Sequence, residues 1–100
     1  MQISLKCVKD ILMCINKSND LNNLLNLEYP IEELNFNIDK LTYSQLIKIN
    51  NSFITITDTG KILLGILKDD YKYKRLSKRL SEFTSTSMAL ILAEAQRLNY

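Results

Sequence analysis

The sequence predicts a mainly helical α+β fold, and three observations lead to that prediction. The 100 residues contain two glycines and one proline, so long irregular loops are not expected. Apolar residues recur at helical spacing along most of the chain. Residues 47–56 are the exception, since isoleucine alternates there with polar residues, as is typical of two short strands.

The first helix is expected to begin after Ser4, whose hydroxyl can cap it, and to end at about Lys17. Cys7 and Cys14 lie two helical turns apart in it, roughly 10 Å along the axis, which is too far for a disulfide. We interpret both as small apolar residues beside the core. Residues 18–29 are rich in asparagine and fit a short helix or an extended segment equally well. The apolar stripe of the first helix would be Leu5, Val8, Ile11, Leu12 and Ile15.

The hairpin is expected to turn at Asn50 and Asn51, because asparagine tolerates the positive φ of a two-residue turn. This turn would place Ile47 opposite Ile54. It would also gather four isoleucines on one face of the hairpin, namely Ile47, Ile49, Ile54 and Ile56.

The remaining helices are predicted from their start signals and apolar stripes. Pro30 fits the first position of the helix before the hairpin, where its missing N–H is not needed. Thr57 or Asp58 would cap the helix after the hairpin, Asp69 and Asp70 would begin the next one, and the segment TSTS would cap the last. The expected inward side chains are Ile31, Leu34, Ile38 and Leu41, then Ile62, Leu63, Leu64, Ile66 and Leu67, then Tyr73, Leu76, Leu80 and Phe83, then Met88, Ile91, Leu92, Ala95 and Leu98.

This order of elements is that of a winged helix-turn-helix, in which the hairpin is a two-stranded wing. We therefore predict a single domain over residues 1–100. The winged-helix core would span residues 1–67, and a C-terminal helical extension would span residues 68–100.

Three segments of the chain resemble a family of small uncharacterised bacterial proteins that is frequent in phages and prophages and is described as winged-helix-like. The segments are SLKCVKDIL, YPIEELNFNIDKLTYSQLI and ITDTGKILLGILKDD. Phe36 matches the aromatic residue of the family pattern YHxxLLxEAGLI, whereas Asn37 replaces its histidine and Gln45 its turn glycine. The residues that match the second pattern, LTxxGxxFLxxIxDD, are Thr57, Gly60, Asp69 and Asp70. The resemblance implies a winged-helix fold and a phage or prophage background, but no activity.

The charge distribution indicates a basic surface in the second half of the chain. The net charge is +2, and residues 51–100 hold eight Lys and Arg against five acids. Four cations at i, i+4, i+7 and i+11 would form a stripe on one helix, with two more beside it and one in the hairpin. They are Lys68, Lys72, Arg75 and Arg79, then Lys74 and Lys78, then Lys48. Such a stripe can bind phosphates or an acidic protein surface, or it can be a solvated helix face.

The helix before the hairpin would enter the major groove if the domain binds DNA. Its exposed residues are expected to be Glu32, Glu33, Asn35, Phe36, Asn37, Asp39 and Lys40. Asn35 and Asn37 have side chains that can read adenine. Three acids against one lysine would nevertheless repel phosphate, so this face is a poor DNA-reading surface.

The same helix carries an aromatic candidate site. Phe36 is expected to point away from the core, with Tyr43 in nearly the same direction and Lys40 beside them. Because aromatic residues anchor protein interfaces, these three residues predict a protein-docking patch. The alternative is that Phe36 packs beneath residues 21–27.

Nothing in the sequence points to catalysis, a metal or a cofactor. The chain has no histidine, no nucleophile motif, no glycine-rich phosphate loop and no spacing typical of metal ligands. No small-molecule substrate is expected either. The sequence has neither a membrane span nor a signal-peptide core, so we expect a cytoplasmic protein. Leu90 and Ala93, off the inner stripe of the last helix, could form the face of a homodimer.

The sequence therefore favours a non-enzymatic module that binds a macromolecule. A protein partner is preferred, with the chain acting as a phage-type accessory protein that modulates or inhibits a host protein. The alternative is a DNA-binding transcriptional regulator of winged-helix type, with Lys40, Lys48 and the basic stripe on phosphates.

Overall fold

Five α-helices, one 3₁₀ helix and one β-hairpin make up the fold in the computed structural model, which describes residues 2–98. They are α1 (Leu5–Lys17), the 3₁₀ helix (Leu21–Asn26), α2 (Ile31–Tyr43), β1 (Ile47–Asn50), β2 (Phe53–Ile56), α3 (Asp58–Lys68), α4 (Asp70–Leu80) and α5 (Met88–Leu98). The two strands pair antiparallel, so the expected mainly helical α+β fold is confirmed. None of the helices in this range is long and apolar enough to cross a lipid bilayer.

Side chains cap four of the helices at the predicted positions. The capping residues are Ser4, Thr57, Asp69 and Ser87. Each side-chain oxygen accepts a hydrogen bond of 3.1 to 3.3 Å from a backbone N–H in the first turn of its helix. A cap of this kind stabilises a helix by about 1 kcal/mol. Helix α2 differs, because Pro30 lies at the N-cap and not at the predicted first helical position, with ψ of 140° and no side-chain acceptor.

The asparagine-rich segment after α1 combines both of the structures that its sequence allows. It is extended at first, where the Asn19 carbonyl accepts a hydrogen bond from the Ile54 N–H and the Asn19 side-chain amide donates one to the Ile54 carbonyl, both 2.9 Å long. Asp20 then forms an isolated bridge with Phe53 and caps the 3₁₀ helix. Leu24 of that helix is buried. The segment therefore closes the outer edge of β2.

The hairpin turns one residue later than predicted, at Asn51 and Ser52. Asn51 has the positive φ, 59°, that the turn requires. The predicted pairing of Ile47 with Ile54 is therefore wrong, because the register is shifted by two residues. The observed register joins two couples of isoleucines, Ile47–Ile56 and Ile49–Ile54. Cross-strand apolar pairs stabilise a hairpin, and an even shift keeps the four isoleucines on the predicted common face.

The core is centred on α1, which contacts α2, α3, the 3₁₀ helix and β2. Its fully buried residues include Cys7, Val8, Ile11 and Leu12. Cys7 and Cys14 are free thiols. Helix α3 packs against α1, α4 and α5 but is not buried on all sides, because Ile62 is 60% exposed. The buried positions of α3 are 60, 63, 64, 66 and 67. The predicted inward direction of Ile62 is wrong, because Ile62 lies on the side of the helix opposite to position 60.

The connection from α2 to β1 lies directly against the start of α3. Gln45 in this connection has φ of 63°, the left-handed backbone that glycine adopts most readily. The Leu46 carbonyl accepts hydrogen bonds from the Thr57 N–H and the Thr57 hydroxyl, each 3.0 Å long. A β-carbon at Gly60 would collide with the Leu46 carbonyl and lie 2.7 Å from Cγ1 of Ile56. Glycine is therefore required at position 60 for this close packing.

The buried face of α2 differs from the predicted one at two positions. Ile31 is exposed, and Asn37, which was expected on the exposed face, is fully buried. The Asn37 side chain accepts a hydrogen bond from the Ser4 N–H at 3.1 Å and donates one to the Glu33 carbonyl at 2.8 Å. The buried set is Leu34, Asn37, Ile38 and Leu41, which has ideal helical spacing, whereas Ile31 lies in the first turn at the margin of the core.

Helices α4 and α5 pack against each other largely through the predicted stripes. Leu76 and Leu80 are buried on α4 and Tyr73 is half-buried. Phe83 is exposed, because α4 ends at Leu80 and the chain turns away before residue 83. The predicted inward residues of α5 are buried or half-buried, namely Met88, Ile91, Leu92, Ala95 and Leu98.

Candidate binding surfaces

Four residues on the outer side of α2 form an aromatic patch. They are Phe36, Asp39, Lys40 and Tyr43, and together they border a shallow cavity of about 360 Å³. Tyr43 is 89% exposed, whereas Phe36 is half-buried and packs against the core. The Lys40 ammonium lies 5.3 Å from the centroid of the Phe36 ring, within cation–π range. The structure therefore brings together the three residues of the predicted protein-docking site.

The 3₁₀ helix does not cover the aromatic patch. Its buried Leu24 lines the same cavity as Leu34 and Ile38 of α2. These two residues lie on the side of α2 away from Phe36, and none of the described side chains of residues 22–27 borders the cavity of the aromatic patch. This arrangement favours an exposed patch over packing of Phe36 beneath residues 21–27.

The exposed face of α2 carries more acids than bases. Glu32 and Asp39 are exposed and Glu33 is half-buried, against a single lysine, Lys40. Asn37 is buried and hydrogen-bonded, so it is not free to read a base edge as was expected of an exposed residue. This face would repel phosphate, since DNA affinity depends on cations.

The predicted basic stripe does not lie on one helix. Lys68 ends α3, because Asp69 then adopts an extended conformation and caps α4. On α4, one exposed arc holds three cations and a tyrosine that is 68% exposed, and we name it the α4 basic patch. Its residues are Tyr71, Lys74, Arg75 and Lys78. The Arg75 guanidinium lies 5.5 Å from the centroid of the Tyr71 ring, and Lys72 is half-buried at the margin of the arc.

Arg79 is held by an ion pair and is not part of the free basic surface. Its Nη1 lies 3.0 Å from Oε2 of Glu94, a residue of α5 that is 5% exposed. Arg97 lies 3.7 Å from the other carboxylate oxygen of Glu94. Glu94 was not predicted from the sequence, although it occupies an inner position of α5 between Ile91 and Ala95. Arg79 therefore links α4 to α5 through a buried carboxylate.

The two remaining candidate surfaces are the one that contains Lys48 and the one predicted on α5. Lys48 is exposed and lines a polar groove at the base of the hairpin with Gln45, Thr55 and Asp58. No other cation is present among the described residues that line this groove. On α5, Ala93 is exposed but Leu90 is half-buried against the core, so the face expected for a homodimer is reduced to one small side chain.

Burial near α1 raises the pKa values of the Tyr29 hydroxyl and the Cys7 thiol. The Tyr29 hydroxyl donates a 2.5 Å hydrogen bond to the Asp10 carboxylate, and burial together with this bond raises the pKa of Tyr29. Burial raises the pKa of the Cys7 thiol to about 11, with smaller effects from Glu33 and Asp10. Cys7 is therefore a protonated thiol at neutral pH.

Residues 2–98 contain no group of three or more histidine, cysteine, aspartate or glutamate side chains that could hold a metal ion.

The positions that carry the family resemblance have structural roles. Gln45 has the left-handed conformation at the place of the pattern's turn glycine, and Asn37 is buried at the place of its histidine. Thr57 and Gly60 join the hairpin to α3. Comparisons of this chain with protein-family models, with curated proteins and with solved structures find no match.

Proposed function

We propose that this chain is a non-enzymatic protein-binding module of winged helix-turn-helix architecture. In this assignment α1, the 3₁₀ helix and α2 form the helix-turn-helix part, the hairpin is the wing, and α4 with α5 is the C-terminal extension. The element order, the antiparallel hairpin and the family resemblance support it. The resemblance also suggests a phage or prophage background, and against that background the proposed cellular role is a phage-type accessory protein that modulates or inhibits a host protein.

The aromatic patch on α2 is the observation that carries this proposal. A tyrosine that is 89% exposed stands next to a phenylalanine whose ring is already fixed against the core. Aromatic side chains supply much of the binding energy at the centres of protein interfaces. A ring that packing has already ordered loses little conformational freedom when a partner covers it.

The charges around the patch fit a protein partner better than a nucleic acid. Asp39 and Lys40 both border the cavity, so the patch offers one carboxylate and one ammonium to a partner. A mixed pair of this kind orients a protein partner by charge complementarity. A phosphate backbone would be attracted by Lys40 but repelled by Asp39 and Glu32.

A comparative pull-down tests the proposal. Immobilised wild-type protein, Tyr43→Ala and Tyr71→Ala are each exposed to a bacterial lysate, and the retained proteins are quantified by mass spectrometry. Tyr71 is a matched control, because it is an exposed tyrosine on a different helix. We expect a retained protein that is lost by about tenfold or more with Tyr43→Ala and kept with Tyr71→Ala. Equal recovery by all three proteins would contradict a role for the aromatic patch.

The second candidate function is a DNA-binding regulator, and the α4 basic patch favours it. Lys74, Arg75 and Lys78 are exposed on one arc and could contact phosphates, as could Lys40 and Lys48. The test is binding to random duplex DNA at low and moderate salt. Binding that weakens steeply with salt and is lost when Lys74, Arg75 and Lys78 become alanine would favour DNA as the partner. No binding at low salt would exclude this second function.

A further inference from the structure

We propose that the open edge of β1, with the apolar groove beside it, is a second binding site that takes an extended peptide segment of another protein. The segment would add a strand to β1, place an apolar side chain in the groove and carry a lysine or arginine nearby. This site lies on the side of α2 that carries Leu34 and Ile38, and it shares Asp39 with the border of the aromatic patch. It does not rest on the proposed function.

The two edges of the hairpin differ in whether their outward backbone groups are hydrogen-bonded. The two-residue turn makes Asn50 and Phe53 a hydrogen-bonded pair, so alternate residues of each strand direct their backbone groups away from the other strand. On β2, Ile54 is such a residue, and its N–H and carbonyl are both bonded to Asn19. On β1 the equivalent residue is Ile49. Within residues 2–98, the Ile49 N–H and carbonyl have no partner outside the hairpin, which leaves a donor and an acceptor for an added strand.

An apolar groove of about 310 Å³ lies beside this open edge. Its buried lining residues are Leu24, Leu34 and Ile38. Its exposed apolar lining residues are Leu25, which is 62% exposed, and Ile49, which is 40% exposed. Exposed apolar side chains next to a buried apolar surface are typical of a binding groove.

Ile49 belongs to both features, and this sets the form of the occupant. Its backbone faces the open edge, while its side chain lines the groove. A strand paired with β1 lies about 4.8 Å away and directs alternate side chains to the face that holds the groove. An extended peptide can therefore form backbone hydrogen bonds with Ile49 and place an apolar side chain among the leucines at the same time.

Charge distinguishes a peptide of another protein from a second copy of this chain. The polar residues that line the groove are Asn22, Asn35 and Asp39, and of the described lining residues Asp39 alone is charged. Two copies joined through their β1 edges by a two-fold axis would present the same groove to each other. Lys48 of the second copy would not face Asp39, because Lys48 and Ile49 point to opposite faces of β1. A peptide with a lysine or arginine beside its apolar residue would instead pair with Asp39.

A library of short random peptides, displayed on phage and selected against the folded full chain, tests the proposal. Selections are run in parallel on wild type, on Leu25→Ser and on Ile62→Ser. Ile62 is a matched control, because it is 60% exposed on α3 and does not line the groove. We expect wild type and Ile62→Ser to enrich peptides with alternating apolar residues and a lysine or arginine. Leu25→Ser should bind those peptides about tenfold more weakly, and Tyr43→Ala should bind them as well as wild type.

Nuclear magnetic resonance of the ¹⁵N-labelled protein then locates the bound peptide. The Ile49 amide is expected to shift and to exchange more slowly with solvent when an enriched peptide is added, because its N–H becomes hydrogen-bonded. A peptide that is N-methylated at alternate residues on its pairing edge should lose this effect. The proposal is overturned if selection enriches no peptides that depend on Leu25, or if the methylated peptide binds equally well. A shift of the Ile49 amide with protein concentration alone would identify a second copy as the occupant and would also overturn it.

Discussion

The α2 side and the α4 side of the molecule both place a cation near an aromatic ring, but they support the ring differently. On α2, Lys40 lies 5.3 Å from the ring centroid of Phe36, which packs against the core. On α4, Arg75 lies 5.5 Å from the ring centroid of Tyr71, which projects into solvent. An aromatic side chain that is ordered before binding loses less conformational entropy when a partner covers it, and for this reason we propose the α2 side as the protein-docking surface.

The two sides also rest on different supports. Helix α2 is fixed to the start of α1 by the buried side chain of Asn37, and the chain after it lies tightly against Gly60. Helix α4 is fixed to α5 by the ion pair of Arg79 with Glu94. Substitutions at these positions show how much each contact contributes to the free energy of unfolding. The expected changes differ in size and sign.

The largest effect is expected from Gly60→Ala. The added β-carbon would collide with the Leu46 backbone carbonyl, which cannot move without disturbing the connection from α2 to β1. We expect the free energy of unfolding to fall by about 3 kcal/mol. Urea denaturation followed by circular dichroism measures this change, and a loss below about 1 kcal/mol would show that the packing is looser than described.

The next effect is expected from Glu94→Ala on the α4 side. This change removes the buried carboxylate that pairs with Arg79 and Arg97. We expect a loss of about 2 kcal/mol in the free energy of unfolding, less than for a fully buried pair, because Arg79 can still reach water. Glu82→Ala is the control, since Glu82 is an exposed acid. Equal stability of the two variants would mean that the ion pair does not hold α4 to α5.

Asn37→Ala tests the support of α2. It leaves the Ser4 N–H and the Glu33 carbonyl without their side-chain partner. We expect a loss of about 1–2 kcal/mol, against no more than a few tenths for Asn35→Ala on the exposed face of the same helix. Thermal unfolding of the pair measures the difference, and identical midpoints would contradict a structural role for Asn37.

The smallest effect, with the opposite sign, is expected from Gly65→Ala. Gly65 lies inside α3, and nothing is present within 4 Å of the position of an added β-carbon. Alanine favours the helix over glycine by about 1 kcal/mol, so this variant should be more stable than wild type. Destabilisation by Gly65→Ala would indicate a contact at this face of α3.

Much of the fold could be predicted from the sequence, because helix caps and strand faces depend only on residues that are close together in the chain. Ser4, Thr57 and Asp69 cap the expected helices, and the isoleucines share the expected hairpin face. Features that depend on a distant partner were missed or wrong. The buried position of Asn37 depends on Ser4 of another helix, and the ion pair of Arg79 depends on Glu94.

The candidate sites follow the same division. Phe36, Lys40 and Tyr43 lie within two turns of one helix, so helical spacing alone brings them together. The predicted basic stripe failed because the Asp69 cap separates Lys68 from α4 and because Glu94 removes Arg79 from the free surface. The open edge of β1 could not be predicted, since it depends on which strand the segment after α1 covers.

Isothermal titration calorimetry tests docking through the aromatic patch most directly, by measuring the affinity of the retained partner for wild type, Tyr43→Ala and Tyr71→Ala. If the aromatic patch on α2 is the docking surface, Tyr43→Ala weakens binding by about tenfold or more, while Tyr71→Ala binds like wild type. Tyr43 is 89% exposed, so its loss should leave the stability of the fold unchanged within about 0.5 kcal/mol. Unchanged affinity of Tyr43→Ala would contradict docking through the aromatic patch, and a loss with Tyr71→Ala alone would move the binding surface to α4.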